Sequence, residues 1–352
     1  MTTATPFIIA EAGVNHNGRL DLALRLVDAA AEAKADAVKF QAFRAERLAT
    51  KTAPLARYQE KSERSDGGQL EMLRRLQLDE SQFAEIAARC AARGIELMAT
   101  PFDVDSVAML QRLGVKRFKI PSGEANNPLL LRAVAATDKP LILSTGMCTL
   151  AEVETALTII GRVFLGDPKA EPLVSDAGRA LLASRVTVLH CTTEYPAPPS
   201  SANLRAMTTM AAAFGVPVGY SDHTEGPAVS IAAVALGATV IEKHFTLDRT
   251  LPGPDHAASL EAGELAGFVE ALRSVGAAMG NGIKVPQAAE LPNRSVARRS
   301  VVAARSIKKG EAFTTENLAL KRPGTGIPAS RYDELLGRIA TRDYVEDELI
   351  EL

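Results

Sequence analysis

Cysteine is scarce. The chain of 352 residues has three, Cys90, Cys148 and Cys191, and none forms a CxxC pair. That excludes a disulfide framework and a thiolate zinc site, and it points to a reducing compartment, the cytoplasm. Cys191 ends an apolar run and reads as a packed thiol rather than a nucleophile. An excess of one charge is also missing: 40 basic residues face 42 acidic ones, a formal net charge of −2. Nothing in that balance suggests nucleic acid or an anionic membrane as a partner. No apolar run approaches the roughly 20 residues that span a bilayer. The start MTTATPFIIAEAG has neither the basic flank nor the length of a signal peptide. No GxGxxG follows the first apolar run, which argues against an open doubly wound sheet. No Ser–His–Asp order or Cys–His pair suggests a hydrolase.

What is present is an ample core, with 47% hydrophobic and 23% charged residues. Eight short apolar runs recur, at 7–13, 37–43, 96–102, 117–122, 140–146, 186–191, 218–224 and 240–246. Continuous runs of this length read as strands buried on both faces of a parallel sheet. Helical patterns separate them. Phe83, Ile86, Ala87 and Cys90 keep one face of a helix that Asp79 and Gln82 start and Gly94 stops. Asn127–Pro128 and Thr149-x-x-Glu152 are further helix starts. Eight strand–helix units over 1–280 predict an α/β fold, a (β/α)8 TIM barrel, with an open doubly wound sheet as its competitor. Polar residues gather at the C-terminal ends of nearly all the strands, the end that carries the active site in barrels.

Two connections are long. The one at 50–77 includes the charged piece 61–69 and reads as a lid or a disordered loop. The other, 161–185, holds a Pro/Asp-rich stretch and a short helical piece at 177–183, and reads as a peripheral insertion without chemistry. Residues 281–298 read as a linker, and 299–352 as a small β-rich domain with strand-like runs at 300–304 and 317–321. So small a domain leans on the barrel or on a partner subunit.

The strand ends present, in order, Glu11, Asn15 and His16; Lys39 and Gln41; Thr100; Lys119, Ser122 and Glu124; Ser144 and Thr145; Thr192, Thr193 and Tyr195; Ser221, Asp222 and His223; Glu242, Lys243 and His244. Lys39 and Lys119 sit inside apolar runs, where an unpaired ammonium is too costly to be decoration. Each lysine either closes an internal ion pair with Glu11 or Glu242, or joins a site for a small, multiply charged anion such as a phosphate. Both lysines together, beside hydroxyls and two histidines, favour the anion site. His223 and His244, two of only five histidines, end consecutive strands. Side by side they would hold a divalent metal with positions open for water and a substrate oxygen; otherwise they are packing residues. The oxygen-rich surroundings of Glu11, Glu124 and Asp255 favour Mn2+ or Mg2+ over a closed zinc site. An anion, lysines and an open metal suggest reaction at a polarised carbonyl with a phosphorylated partner.

Ten segments together resemble the sialic acid synthase family, from residue 7 almost to the C-terminus. They are AEAGVNHNG (10–18), KFQAF (39–43), TPFD (100–103), KIPSGE (119–124), STGM (144–147), HCTTEYPAP (190–198), GYSDHT (219–224), EKHFTLDRTLPGPDH (242–256), ARRSVVAARSIKKGE (297–311) and KRPGTGI (321–327). The last two resemble the antifreeze-like (SAF) domain that closes those enzymes. The resemblance implies condensation of phosphoenolpyruvate (PEP) with the open-chain aldehyde of an N-acetylmannosamine-type sugar. The products are a nine-carbon 2-keto sugar acid and phosphate. Enolpyruvate C3 attacks the aldehyde, water adds at C2, and phosphate leaves by C–O cleavage.

The resemblance also implies roles. His223 and His244 hold the metal, Mn2+ with Mg2+ or Co2+ as substitutes. Lys39, Thr100, Lys119, Ser122 and Ser221 hold PEP. Glu11 and Glu124 handle protons or orient water. Gln41, Tyr195 and Asp255 touch the sugar. Arg322, from the terminal domain of the other subunit, reaches the N-acyl group, which implies a domain-swapped homodimer. Thr193 stands where some relatives carry an Asn that contacts the phosphate, and its hydroxyl can donate one hydrogen bond.

Sialic, legionaminic and pseudaminic acid synthases share this chemistry, and PGPDH (252–256) looks more like the first two. N-acetylmannosamine is the first expected acceptor, giving N-acetylneuraminate. The alternative is 2,4-diacetamido-2,4,6-trideoxymannose, giving the legionaminic acid; a single hydrogen bond could decide between them. A barrel aldolase of the DAHP or KDO8P synthase type would need a second cationic cluster for a phosphorylated sugar, and the strand ends offer none. A glycan- or ice-binding protein would leave the barrel mouth inert.

Overall fold

In the computed structural model, residues 5–56, 59 and 68–351 are described, so most of the charged piece of the expected lid, 61–67, lies outside the described residues. The eight apolar runs form parallel strands: β1 (Phe7–Gly13), β2 (Ala37–Ala42), β3 (Glu96–Pro101), β4 (Phe118–Ile120), β5 (Leu141–Ser144), β6 (Val186–Cys191), β7 (Val218–Asp222) and β8 (Val240–Thr246). They pair in the order β3-β2-β1-β8-β7-β6-β5-β4, and β3 lies against β4, so the sheet rolls into an almost closed barrel. A two-residue strand, β9 (Leu260–Glu261), adds to the end of β8.

The helices are α1 (Leu20–Glu32), α2 (Ala45–Leu48), α3 (Gly68–Leu76), α4 (Glu80–Arg93), α5 (Val104–Arg112), α6 (Pro128–Ala135), α7 (Leu150–Leu165), α8 (Asp176–Arg185), α9 (Arg205–Phe214), α10 (Ala228–Ala235) and α11 (Ala262–Ala278). Their starts follow the capping chemistry read from the sequence. Asp79 and Gln82 make a reciprocal box before α4, which Gly94 ends in the left-handed region. Thr149 and Glu152 do the same for α7. The Asn127 side chain accepts from the first-turn N–H groups of Leu129 and Leu130. Boundaries shift by a few residues at several elements, and within the 161–185 connection α7 continues through Gly161 to Leu165, with Pro172 packed directly over Gly161. No described helix is long and apolar enough to cross a membrane.

Alternation along the strands sorts the barrel interior into two layers. Ile9, Ala37, Met98, Ile142, Leu189 and Val240 form an apolar plug at the N-terminal end. Two residues further along the same strands stand Glu11, Lys39, Thr100, Ser144, Cys191 and Glu242, all buried. The residues between, such as Ile8, Val38, Val188 and Ile241, pack against the helices.

A second compact unit begins at Gly282. In the segment expected as a linker, 281–298, a short helix, α12 (Leu291–Ala297), has no buried residue. After it, β10 (Ser300–Ala303) and β11 (Leu318–Lys321) pair antiparallel. They share a core with Ile307, Phe313, Leu335 and Tyr344.

The same alternation corrects one expectation. Asp222 and Lys243 count among the strand-end groups in the sequence, but both turn outward, towards α10. They pair at 3.0 Å with side chains 0% and 1% exposed. Asp222 also accepts from the Thr224 N–H and hydroxyl, at 2.9 and 2.8 Å, and from the Ser230 hydroxyl at 2.6 Å. The Lys243 ammonium donates to the Thr224 carbonyl. This network ties the ends of β7 and β8, which present His223 and His244, to α10. Removing the carboxylate leaves a buried cation without its counter-charge. Asp222→Ala is therefore expected to cost about 3–5 kcal/mol of unfolding free energy in chemical denaturation. A loss below about 1 kcal/mol, the range of an exposed pair, would contradict the structural role.

Candidate active site

The barrel mouth opens into a cavity of about 370 Å3. Glu11, Lys39, Gln41, Thr100, Lys119, Ser122, Glu124, Thr193, Tyr195, Ser221, His223 and His244 all line it, twelve of the fourteen residues singled out from the sequence. Asp255 stands beside them, its Oδ2 3.7 Å from His244 Nδ1. Arg322 lies in the second unit, exposed, its Nε donating to the Ala297 carbonyl at 3.0 Å.

Both lysines have the carboxylate partners that the ion-pair alternative required. Lys39 Nζ lies 2.6 Å from Glu11 Oε2 and donates to the Thr100 hydroxyl at 2.9 Å. Lys119 Nζ donates to Glu242 Oε1 at 3.2 Å. Glu242 stands between the cations, its Oε2 3.7 Å from Lys39 and its Oε1 also accepting from Ser221 Oγ at 2.9 Å. Burial raises the Glu11 carboxyl to about 7 against the pull of Lys39. Burial acts on Glu242 as well, but Lys119 and Lys39 together outweigh it and hold this carboxyl down at about 2. Burial also lowers Lys119, with Glu242 opposing. The pairs do not close the site, because all four groups still line the cavity.

The two imidazoles sit 5.5 Å apart between ring centroids. His223 Nδ1 donates to the Thr192 carbonyl at 2.7 Å, which makes Nε2 the acceptor nitrogen, with Ser221 Oγ 3.4 Å away and itself donating to Glu242. Burial lowers His223 to about 4, and burial with the neighbouring His223 holds His244 well below the usual range, so both rings are neutral. His244 Nδ1 is buried without a hydrogen-bond partner. Gly13 has φ +54°, and a Cβ there would stand 3.3 Å from Glu11 Oε1 and 3.5 Å from Asp255 Oδ2 and His244 Cε1. Only glycine suits that backbone where these three side chains converge. Burial raises Asp255 to about 6. Among the described residues no three His, Cys, Asp or Glu side chains form a metal cage, so the imidazoles are an open pair. Neutral nitrogen donors with carboxylates alongside fit a divalent cation of the manganese class. Tyr195 lies tilted over the His223 ring at 4.2 Å and 31°, and meets the His244 ring edge-on at 5.5 Å and 86°.

Beside His223, at the ends of β4, β5 and β6, lies a cradle of hydroxyls. Ser122 Oγ accepts from the Gly146 N–H at 2.9 Å and lies 3.1 Å from Cys191 Sγ. A Cβ at Gly146 would meet Thr193 Oγ1 at 2.2 Å and the Ser122 and Cys191 side-chain atoms at 2.9 Å. Thr193 Oγ1 and Ser144 Oγ are buried without partners, donors available to an anion. Glu124 accepts from the Asn127 amide at 2.6 Å, and burial raises its carboxyl.

Several residues went unassigned in the sequence. Ser144 was visible only as a strand-end polar group and Glu242 only as a possible counter-ion to the lysines; the two-residue step from Ile142 and Val240 marks both as inward. Leu48, Gln59, Gln69, Met72, Leu73 and Phe102 also line the cavity. No local pattern marks them, since folding of the long connection after β2 brings most of them there.

A model of the NeuB family matches residues 26–284, and one of the SAF domain matches 298–351. An N,N'-diacetyllegionaminic acid synthase of Campylobacter jejuni is 48% identical over 97% of this chain and 98% of its own length. One from Legionella pneumophila is 46% identical over 96% and 90%. A solved N-acetylneuraminic acid (sialic acid) synthetase from Leptospira borgpetersenii, in complex with citrate, superposes with a TM-score of 0.68 at 36% identity, covering 83% of this chain and 90% of that one. The chain belongs to the NeuB family and carries its (β/α)8 barrel ahead of a C-terminal SAF domain.

Proposed function

We propose that the protein joins PEP to the open-chain aldehyde of 2,4-diacetamido-2,4,6-trideoxymannose, giving N,N'-diacetyllegionaminic acid and phosphate. The observation that carries the reaction class is one cavity holding two buried lysines, two neutral imidazoles and unpartnered hydroxyls. The acceptor rests on the relatives named as diacetyllegionaminic acid synthases, at 48% and 46% identity, against 36% for the sialic acid synthetase. That reverses the order expected from the sequence, where N-acetylmannosamine came first.

In this reading Lys39 and Lys119 meet the phosphate and carboxylate of PEP, with hydroxyl donors from Thr100, Ser122, Thr193 and Ser221. PEP C3 bonds to the aldehyde carbon, the aldehyde oxygen takes a proton, water adds at C2, and phosphate departs with the broken C2–O bond. Glu11, near 7, is a carboxyl able to give or take a proton at neutral pH, and Glu124 is the second candidate. His223 and His244 would hold the cation, Mn2+ with Mg2+ or Co2+ as substitutes, which when bound polarises the aldehyde. Gln41, Tyr195 and Asp255 orient the sugar. Arg322 from a second chain reaches its N-acyl group in a domain-swapped homodimer. The proposed compartment is the cytoplasm, in keeping with three free thiols.

Phosphate release from PEP with Mn2+ tests the acceptor. The diacetamido sugar is expected to exceed N-acetylmannosamine in kcat/KM by about tenfold or more. A preference for N-acetylmannosamine would return the sialic acid assignment, and release with neither would sink the reaction class. A second test targets the imidazole pair. His244→Ala is expected to abolish both turnover and calorimetric Mn2+ binding while the thermal transition persists. Retained Mn2+ affinity would remove His244 from the metal site.

A further inference from the structure

The cavity has an apolar wall that the chemistry above does not use. Leu48 ends α2, Met72 and Leu73 lie on α3, Phe102 follows β3, and all four line the cavity. They belong to a small apolar cluster with Val14, Phe43, Leu70 and Leu76, separate from the main core. Met72 and Leu73 are buried, and Leu48 and Phe102 are half-buried. The Phe102 ring is held edge-on against Phe43, 6.1 Å away at 85°.

The strand order sets where this wall stands. His223 follows β7 and His244 lies in β8, whereas the apolar side chains follow β2 and β3. In the ring, β2 stands two places from β8 and three from β7, and β3 three and four places, so β1 and its mouth residues lie between the wall and the imidazoles, and Phe102 stands directly across from His223. An open-chain hexose with its aldehyde C1 at the imidazoles therefore runs across the mouth, and its C6 end reaches the wall. A C6 methyl there gains apolar contact. A C6 hydroxymethyl would press a hydroxyl against carbon and lose its hydrogen bonds to water. The carboxamides of Gln59 and Gln69 border the wall and suit the sugar's acetamido groups.

We infer that Leu48, Met72, Leu73 and Phe102 form the surface that reads C6 of the acceptor, selecting a 6-deoxy sugar over its 6-hydroxy counterpart. This rests on the function proposed above and adds the residues that choose the sugar. The test is phosphate release with 2,4-diacetamido-2,4,6-trideoxymannose and with the same sugar bearing a C6 hydroxyl. Wild-type protein, Leu48→Gln and Met72→Gln are compared. The wild type is expected to favour the 6-deoxy sugar in kcat/KM by about 10–100-fold. Each active variant is expected to cut that ratio by about fivefold or more, chiefly through KM. Leu48 is half-buried at a helix end, so its substitution decides the matter even if Met72→Gln fails to fold. A wild-type ratio near one overturns the inference, as does an unchanged ratio in active Leu48→Gln. Turnover of neither sugar by the wild type overturns the proposed function, and the wall with it.

Discussion

Four charges buried in a chain govern the rest of this barrel. Glu11, Lys39, Glu242 and Lys119 alternate in sign, and each side chain is 5% exposed or less. Two cations taken out of water need counter-charges, or they unfold the barrel mouth or lose their protons. The carboxylates supply that charge, yet the geometry is not saturated. Among the described residues Lys119, with three N–H donors, makes one hydrogen bond, to Glu242 Oε1 at 3.2 Å, and the Lys39–Glu242 contact is 3.7 Å, beyond a hydrogen bond. A network held together but incompletely bonded is preorganised to accept a further anion with little rearrangement.

The apolar plug beneath makes this arrangement possible. Ile9, Ala37, Met98, Ile142, Leu189 and Val240 close the bottom of the barrel and keep the charged layer on one side. Glu11, Lys39, Thr100, Ser144 and Glu242 are each the next inward residue on their own strands, so this layer is built on rigid elements rather than loops. Outside the barrel, the Asp222–Lys243 pair braces the two strands that deliver the histidines. Buried charges therefore serve in two ways here: the outward pair is fully bonded and structural, and the inward chain is left partly open.

Much of this was legible in the sequence, for physical reasons that can be named. Continuous apolar runs marked the eight strands, because a parallel barrel buries both strand faces. Capping residues such as Asp79, Gln82 and Gly94 marked helix ends because their chemistry is local. Lys39 and Lys119 stood out because a lysine within an apolar run demands a reason. The rest depended on distance in space. The approach of Ser122 to Cys191, 69 residues apart, arises from the ring of strands and leaves no trace in either segment. The apolar wall comes from Leu48, Met72, Leu73 and Phe102, whose local patterns are those of ordinary core residues. Asp222 and Lys243 stand at strand ends yet face α10, because only alternation along the strand tells inward from outward.

The central claim is that the strand-end lysines form the anion site rather than a purely internal ion-pair network. Titration calorimetry of PEP against wild type and Lys119→Met addresses it directly. Met matches the lysine side chain out to Cε and removes the charged nitrogen. The account predicts that PEP affinity falls by about 30-fold or more, the cost of removing one partner from a buried charged contact, while the protein stays folded. Undiminished PEP affinity in a folded Lys119→Met protein would contradict it and leave Lys119 as a structural counter-ion to Glu242.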